Sequence, residues 1–358
     1  MTPMKPEPPS PATGSDADAA NSNSRHSNVA LLGLAEAVAP VEVTSQSFDE
    51  RLSDTLKSLN LPRGLLQRVA GVSAKRNWER PTDYIEGAAS AGRQALAESG
   101  IPAEKIGLLI NASVSREALE PSVAVAVHDS IGLGPAAMNF DITNACLGFV
   151  NGITVAASMI DAGQIDYALI VAGEDMSRVQ EATVARLNRD GITREEYLNE
   201  FATLTLGSGA AAAVLGRADL HPEGHRIHGG VSRAATWNHA LCVGDYEGMF
   251  TDTQGLLSNG MRLISDAWHE AHENDWNWKD MDHYIPHQVS NVHVNALTNA
   301  IDIDESRIAK TYPELGNVGP ASLPITLART APKMKPGDRV LCLGVGSGLN
   351  TAMVEITW

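Results

Sequence analysis

The feature that most constrains the fold is a regular alternation of short apolar runs with segments of helical periodicity rich in small residues. From about residue 105, the predicted elements are strands at 106–110, 138–142, 167–172 and 210–215, and helices at 122–131 and 146–162. Short apolar runs bounded by turn residues are typical of buried strands, and longer periodic segments are typical of helices. Their alternation predicts a layered α/β protein.

The second half of the chain repeats this alternation. Its predicted elements are strands at 226–231, 283–286, 339–344 and 351–358, and helices at 256–271 and 291–300. Two halves, 28–217 and 218–358, therefore predict a pseudo-duplicated fold with helices between sheets. The charged segment 178–205 is predicted to be helical and to lie outside the core. Residues 1–27, rich in Pro, Ser, Ala and Asn, are predicted to be disordered.

The composition narrows the class of protein. Of 358 residues, 43% are hydrophobic, and the formal net charge is −16, which disfavours general affinity for nucleic acid or anionic membranes. No apolar run approaches the roughly 20 residues of a membrane span, and we expect no signal peptide. The three cysteines lie too far apart in sequence for a metal site. A small and odd number of cysteines is typical of proteins in a reducing compartment. We therefore expect a cytoplasmic protein without a metal ion.

Cys146 lies where a predicted buried strand gives way to a helix, in the sequence Asp-Ile-Thr-Asn-Ala-Cys-Leu-Gly-Phe. Unpaired backbone N–H groups and the helix dipole favour the thiolate there, so the pKa of the thiol is expected to be lowered. The same N–H groups can stabilise an oxyanion. On position alone, an inert buried cysteine is as good an interpretation as a nucleophile.

Three further segments place polar residues at turns. His287 follows the strand 283–286 in Pro-His-Gln, as either an active-site imidazole or a structural histidine. Asn317 stands in Gly-Asn-Val-Gly-Pro-Ala-Ser, as either an amide donor or a turn residue. The Gly-rich turn 344–348 lacks the lysine and the following helix of a P-loop, so nucleotide binding is not expected.

Taken in order, these four segments resemble the ketosynthase III branch of the thiolase superfamily over residues 28–358. The resemblance implies a thiolase fold with α-β-α-β-α layers, a homodimer, and coenzyme A thioesters as substrates with no further cofactor. It implies a catalytic triad of Cys146, His287 and Asn317. It also implies an oxyanion hole formed by the backbone N–H of Cys146 and of the turn made by Gly346, Ser347 and Gly348.

The segment 109–122 is similar to that of the olefin-biosynthesis condensing enzymes of the OleA type. The similarity implies an acyltransferase that joins two fatty acyl-CoA molecules without decarboxylation. Its product is a 2-alkyl-3-oxo acid that downstream enzymes convert to olefin, ketone or β-lactone. Glu120, in its Leu-Glu-Pro-Ser context, is then the base, acting in the neighbouring subunit. Glu117 is the competing residue, and an exposed loop carboxylate is the alternative for both.

The chemistry explains why this branch needs a base. Decarboxylative enzymes make their carbanion by losing CO2, whereas coupling two unactivated acyl-CoAs requires removal of a weakly acidic C2 proton. A carboxylate in an apolar pocket can do this, because desolvation raises its pKa. The alternative functions are a decarboxylative 3-oxoacyl-ACP synthase III that uses malonyl thioester, a hydroxymethylglutaryl-type synthase, and a non-catalytic dimer partner.

A basic strip is the predicted entry point for coenzyme A. It contains Lys75, Arg76 and Trp78, with Arg63, Arg68 and Arg80 nearby. A solvated helix face is the alternative interpretation of such a cluster.

Overall fold

The strands of the two halves hydrogen-bond into one long sheet in the computed structural model, which describes residues 23–358. The strands are β1 Asn23–Arg25, β2 Val29–Val38, β3 Val41–Thr44, β4 Ala74–Asn77, β5 Leu108–Asn111, β6 Met138–Asp141, β7 Tyr167–Glu174, β8 Gly209–Arg217, β9 His225–Ala234, β10 Cys242–Gly244, β11 Met249–Thr251, β12 His283–Pro286, β13 Arg339–Gly346 and β14 Asn350–Thr357. The α-helices are α1 Ser45–Arg51, α2 Ser53–Ser58, α3 Asp83–Ser99, α4 Val123–Ile131, α5 Gly148–Asp161, α6 Ser177–Leu187, α7 Arg194–Glu200, α8 Thr253–Glu273, α9 Asn291–Ile301, α10 Tyr312–Leu315 and α11 Ser322–Thr330.

The order of the strands repeats between the two halves. The sheet runs β12-β13-β14-β9-β2-β8-β7-β5-β6, with β1 added to β9. Four strands of each half follow the same pattern, in the order β2-β8-β7-β5 in one half and β9-β14-β13-β12 in the other. The first three strands of each set pair antiparallel, and the fourth pairs parallel with the third. The halves meet where β2 pairs briefly with β9. The predicted internal duplication is therefore visible in the sheet.

Two helices form the central layer of the fold. The buried faces of α5 and α11 share one apolar cluster with strands of both halves. Small residues allow the close approach of α5 to its sheet, since a Cβ at Gly152 would lie 3.0 Å from Ile170 Cγ2. Helices α3 and α4 cover one outer face, and α8 and α9 cover the other. The layers follow the predicted α-β-α-β-α arrangement.

Part of the predicted disordered tail belongs to the fold. Residues 1–22 lie outside the described part of the chain, but β1 pairs antiparallel with β9. His26 Nδ1 also lies 3.0 Å from Asp161 Oδ2. The prediction of disorder is therefore wrong for residues 23–27, because their backbone adds a strand to an existing sheet edge.

The predicted elements lie close to the observed ones. The helix predicted from Cys146 begins at Gly148 instead, which places Cys146 in the preceding turn. The segment 178–205 contains α6 and α7. The two-stranded pairs β3-β4 and β10-β11 were not predicted. Within residues 23–358, no helix has the length and apolar character that crossing a membrane requires.

Candidate active site

Cys146 lies in a tight turn between β6 and α5. Ala145 adopts a positive φ of 45°, and Leu147 N–H donates to Asn144 O at 3.0 Å. The side chain of Asn144 is fixed on both sides, since it donates to Asn151 Oδ1 at 2.8 Å and accepts from Asn350 Nδ2 at 3.0 Å. The turn therefore holds Cys146 immediately before the N-terminus of the central helix.

The Gly-rich end of β13 packs directly on this segment. A Cβ at Gly346 would lie 3.0 Å from Asn144 O and 3.2 Å from Leu147 N. A Cβ at Gly344 would lie 2.4 Å from Leu147 Cδ1. The absence of side chains at these two glycines allows this close approach. The two segments expected to supply oxyanion donors are therefore in contact.

His287 lies beside the same turn. Its backbone N–H donates to Leu343 O at 2.8 Å, which extends the parallel pairing of β12 with β13. The side chain is 3% exposed, and its Nδ1 has no hydrogen-bond partner within residues 23–358. Burial, with a smaller contribution from His293, lowers the pKa of His287 to about 3. The imidazole is therefore neutral at physiological pH.

Asn317 is held by its backbone on both sides. Its N–H donates to Thr205 O at 3.0 Å, and its carbonyl accepts from Gly207 N at 2.9 Å. The side-chain Oδ1 accepts from Gly319 N–H at 2.9 Å, a turn contact of the kind that Asn commonly makes. The oxygen is used in this way, and within residues 23–358 no hydrogen bond engages the two N–H donors of the carboxamide.

Glu174, at the end of β7, was missed by the sequence reasoning. It is 0% exposed, and desolvation raises the pKa of its carboxyl to about 7, against the opposing effect of hydrogen bonds from Ser115 and Val114. A Cβ at Gly319 would lie 3.5 Å from Glu174 Cδ, so the carboxyl adjoins the Asn317 loop. The available signal was an acidic residue closing an otherwise apolar strand, Tyr-Ala-Leu-Ile-Val-Ala-Gly-Glu.

The electrostatics of Cys146 differ from the sequence expectation. Burial, with smaller contributions from Glu174 and Cys242, raises the pKa of its thiol to about 12, although a backbone hydrogen bond lowers it. The prediction that the pKa of Cys146 is lowered is therefore wrong in direction. The cause is the loss of solvent around the sulfur, which outweighs the effect of the helix N-terminus.

Two groups of contacts join the predicted site segments. The Cys146 turn packs on Gly346, at the end of the strand whose Leu343 carbonyl accepts from His287 N–H. The Asn317 loop packs on Glu174. Ser347 and Gly348 complete the turn between β13 and β14, where Gly348 has a φ of 135°.

Glu120 does not lie at the site of its own chain. It is exposed on the loop between β5 and α4, next to Leu119, which is 95% exposed. Glu117 lies on the same loop and pairs with Arg178 at 3.5 Å.

The basic strip predicted at 75–78 is not a continuous exposed surface. Lys75 is 0% exposed, with its ammonium 3.7 Å above the ring of Phe48 and donating to the carbonyl of Leu204. Arg76 pairs with Glu42 at 2.8 Å. Trp78 Nε1 donates to the carbonyl of Glu174 at 2.9 Å. The prediction that Lys75 contacts coenzyme A is wrong, because the alternation along β4 turns it into the core.

Comparison with known proteins places these features in context. Family models described as 3-oxoacyl-[acyl-carrier-protein (ACP)] synthase III and its C-terminal part match residues 140–234 and 271–358. The chain is 43% identical over 334 residues to the acyl-CoA:acyl-CoA alkyltransferase of Xanthomonas campestris, covering 92% of this chain and 99% of that protein.

Solved structures show the same likeness. A Cys-to-Ser variant of Xanthomonas campestris OleA with bound lauric acid and lauroyl-CoA superposes with a TM-score of 0.90 at 42% identity, covering 93% of this chain and 100% of that chain. A 3-oxoacyl-(acyl carrier protein) synthase III from Xanthomonas oryzae also has a TM-score of 0.90 at 42% identity, covering 94% of this chain and 100% of that chain.

Proposed function

Because this chain belongs to the ketosynthase III branch of the thiolase superfamily, we propose that it joins two long-chain acyl-CoA molecules by a Claisen condensation without decarboxylation. The 43% identity to an acyl-CoA:acyl-CoA alkyltransferase over nearly the full length of both proteins supports the substrate class. The observation that carries the acyl-transfer chemistry is the contact between the Cys146 turn and the Gly346 turn. A contact of this kind supports the proposal, because backbone N–H groups of two segments can then act on one carbonyl oxygen.

The first half-reaction transfers an acyl group to Cys146. Thiol and imidazole are both uncharged at neutral pH, since the pKa of Cys146 is raised to about 12 and that of His287 is lowered to about 3. Neutral His287 accepts the thiol proton as the sulfur attacks the thioester carbonyl. The N–H groups of Cys146 and of the Gly-rich turn stabilise the oxyanion, and coenzyme A leaves with the proton.

The second half-reaction forms the carbon–carbon bond. Glu120 of the partner subunit removes the C2 proton of a second acyl-CoA, and the donors of His287 and Asn317 stabilise the enolate oxygen. The C2 carbanion attacks the acyl-Cys146 carbonyl and expels the Cys146 thiolate. The product is a 2-alkyl-3-oxoacyl-CoA, and hydrolysis of its thioester gives the 2-alkyl-3-oxo acid.

A second copy of this chain would supply Glu120. The loop that carries it leads into α4, beside β6, the last strand of the sheet in the described part of the chain. Each of these elements carries an exposed apolar side chain: Leu119 on the loop, Val125 on α4 and Met138 at the start of β6. An unpaired edge with apolar neighbours is typical of a surface that another chain covers. A cytoplasmic location would keep the free thiol of Cys146 reduced.

The likeness to a 3-oxoacyl-(acyl carrier protein) synthase III favours a second candidate, decarboxylative condensation with malonyl thioester. Purified protein is incubated with lauroyl-CoA alone and, separately, with lauroyl-CoA and malonyl-ACP, and products and CO2 are measured by mass spectrometry. We expect a 2-alkyl-3-oxo acid from lauroyl-CoA alone, without CO2. Product formation only with malonyl-ACP, together with CO2, would establish the second candidate instead.

A further inference from the structure

The carboxylate of Glu174 binds the start of the loop that carries Glu120. Its Oε1 accepts from Val114 N–H at 2.7 Å. Its Oε2 accepts from Ser115 N–H at 3.0 Å and from Ser115 Oγ at 2.6 Å. Hydrogen bonds to an ionised group are among the stronger ones in proteins. The first residues of the loop are therefore fixed by one buried side chain.

Neighbouring residues of β7 reinforce this attachment. Gly173 N–H donates to Ser113 Oγ at 2.9 Å, and Asp175 N–H donates to Ser115 Oγ at 3.0 Å. The loop leaves this attachment at residue 116 and reaches Glu120 four residues further on. Arg116 N–H donates to Tyr246 Oη at 2.8 Å, so residues 113–116 together set the direction in which the loop leaves the sheet.

The other side of Glu174 faces the catalytic residues. Its Cδ would lie 3.5 Å from a Cβ at Gly319, in the turn that fixes Asn317. It is also one of the smaller causes of the raised pKa of the Cys146 thiol. One carboxylate therefore contacts both the Asn317 turn and the Glu120 loop.

We propose that Glu174 is a positioning residue that fixes the start of the loop carrying Glu120 beside the Asn317 turn. The inference deepens the proposed function and rests on it for the role of Glu120. The carboxylate keeps the loop in the geometry needed to reach the partner's site.

Glu174→Gln weakens this attachment. The amide has one acceptor oxygen, so its NH2 would face the N–H of Val114 or Ser115, and at least one bond to the loop is lost. The negative charge is lost as well. The titratable groups that face Glu174 are Asp175, Cys146, Tyr84 and Tyr246. Asp175→Asn is the matched control, because its side chain bonds Ser177 and Ser208 and makes no contact with the loop.

The experiment compares wild type, Glu174→Gln and Asp175→Asn in three assays. These are iodoacetamide alkylation of Cys146 against pH, acylation by lauroyl-CoA, and condensation. For Glu174→Gln we expect alkylation at pH 9 to be about threefold faster, since a negative charge beside the thiol is gone. We expect acylation to stay near the wild-type rate and condensation to fall by about tenfold, the effect of one lost hydrogen bond to a charged group.

Alkylation of the buried Cys342 distinguishes this result from general loosening of the fold, which would expose both thiols. An unchanged ratio of condensation to acylation would overturn the proposal.

If Glu174→Gln does not fold, Ser115→Ala removes the hydrogen bonds that Ser115 Oγ makes to Glu174 and Asp175 and keeps the charge of Glu174. It should lower condensation alone, and a wild-type condensation rate would overturn the proposal. If wild type itself makes no product from lauroyl-CoA, the proposed function fails, while the alkylation profile still decides whether Glu174 acts on the thiol.

Discussion

Gly346→Ala tests the contact on which acyl transfer depends. The added Cβ would lie 3.0 Å from Asn144 O, 3.2 Å from Leu147 N and 3.3 Å from Leu147 Cβ. Two of these atoms are backbone, so the turns must separate by a few tenths of an ångström. Overpacking of this kind costs about 1–3 kcal/mol of folding stability.

The separation should affect the rate more than the stability. Loss of one oxyanion donor lowers catalysis by about 10²–10³-fold, and a displaced donor should retain part of its effect. We therefore expect acylation of Cys146 by lauroyl-CoA to slow by about 10–100-fold. Condensation should slow as well, because its attack on the acyl-Cys146 carbonyl creates an oxyanion at the same place.

The assay is single-turnover acylation followed by mass spectrometry of the intact protein. Gly134→Ala is the control, since a Cβ there meets no atom within 4 Å, and its rate should match that of wild type. Thermal unfolding confirms that both variants are folded. A folded Gly346→Ala protein that acylates at the wild-type rate would refute the role given to this turn.

Three further predictions concern the base, the imidazole and the buried lysine. Glu120→Gln should leave acylation intact and reduce condensation below detection, whereas Glu117→Gln should condense normally; the reverse pattern in a product assay would assign the base to Glu117. Because burial lowers the pKa of His287 to about 3, its protonation should not slow acylation between pH 8 and pH 5. Below a pH of about 6.5, His287 binds a proton in the unfolded chain but not in the folded one. The free energy of unfolding should therefore fall as the pH drops below about 6.5. In His287→Asn, thermal unfolding should show a weaker pH dependence; an identical dependence would contradict the neutral imidazole. Lys75→Met should leave the KM for lauroyl-CoA unchanged. A tenfold rise in this KM would indicate that Lys75 does contact coenzyme A.

Periodicity was sufficient to predict the core elements of the fold. The strand at 283–286 was predicted with the bounds of β12, and the helix at 291–300 differs from α9 by one residue. These segments are buried, so their apolar pattern is set by the core. The short strand β1 carries no such pattern, because Asn23–Arg25 is polar and gains its conformation only by pairing with β9.

The predictions for the site depended on different kinds of information. Order along the chain located His287 and Asn317 at turns, which Gly and Pro indicate, whereas Cys146 was predicted to begin a helix and lies in the turn before it. The pKa of Cys146 could not be predicted, because desolvation depends on which distant segments enclose the sulfur. Glu174 was missed for the same reason. Its importance comes from bonds to residues 114–115, about 60 positions away.

The most direct test of the account is to identify the atom that carries the acyl group. The protein is incubated with lauroyl-CoA, quenched in acid and digested, and each cysteine-containing peptide is analysed by mass spectrometry. We predict a lauroyl thioester on Cys146 alone, which disappears when a second acyl-CoA is added and condensation proceeds. A lauroyl group on Cys242 or Cys342, or product formation by Cys146→Ala, would contradict the central claim.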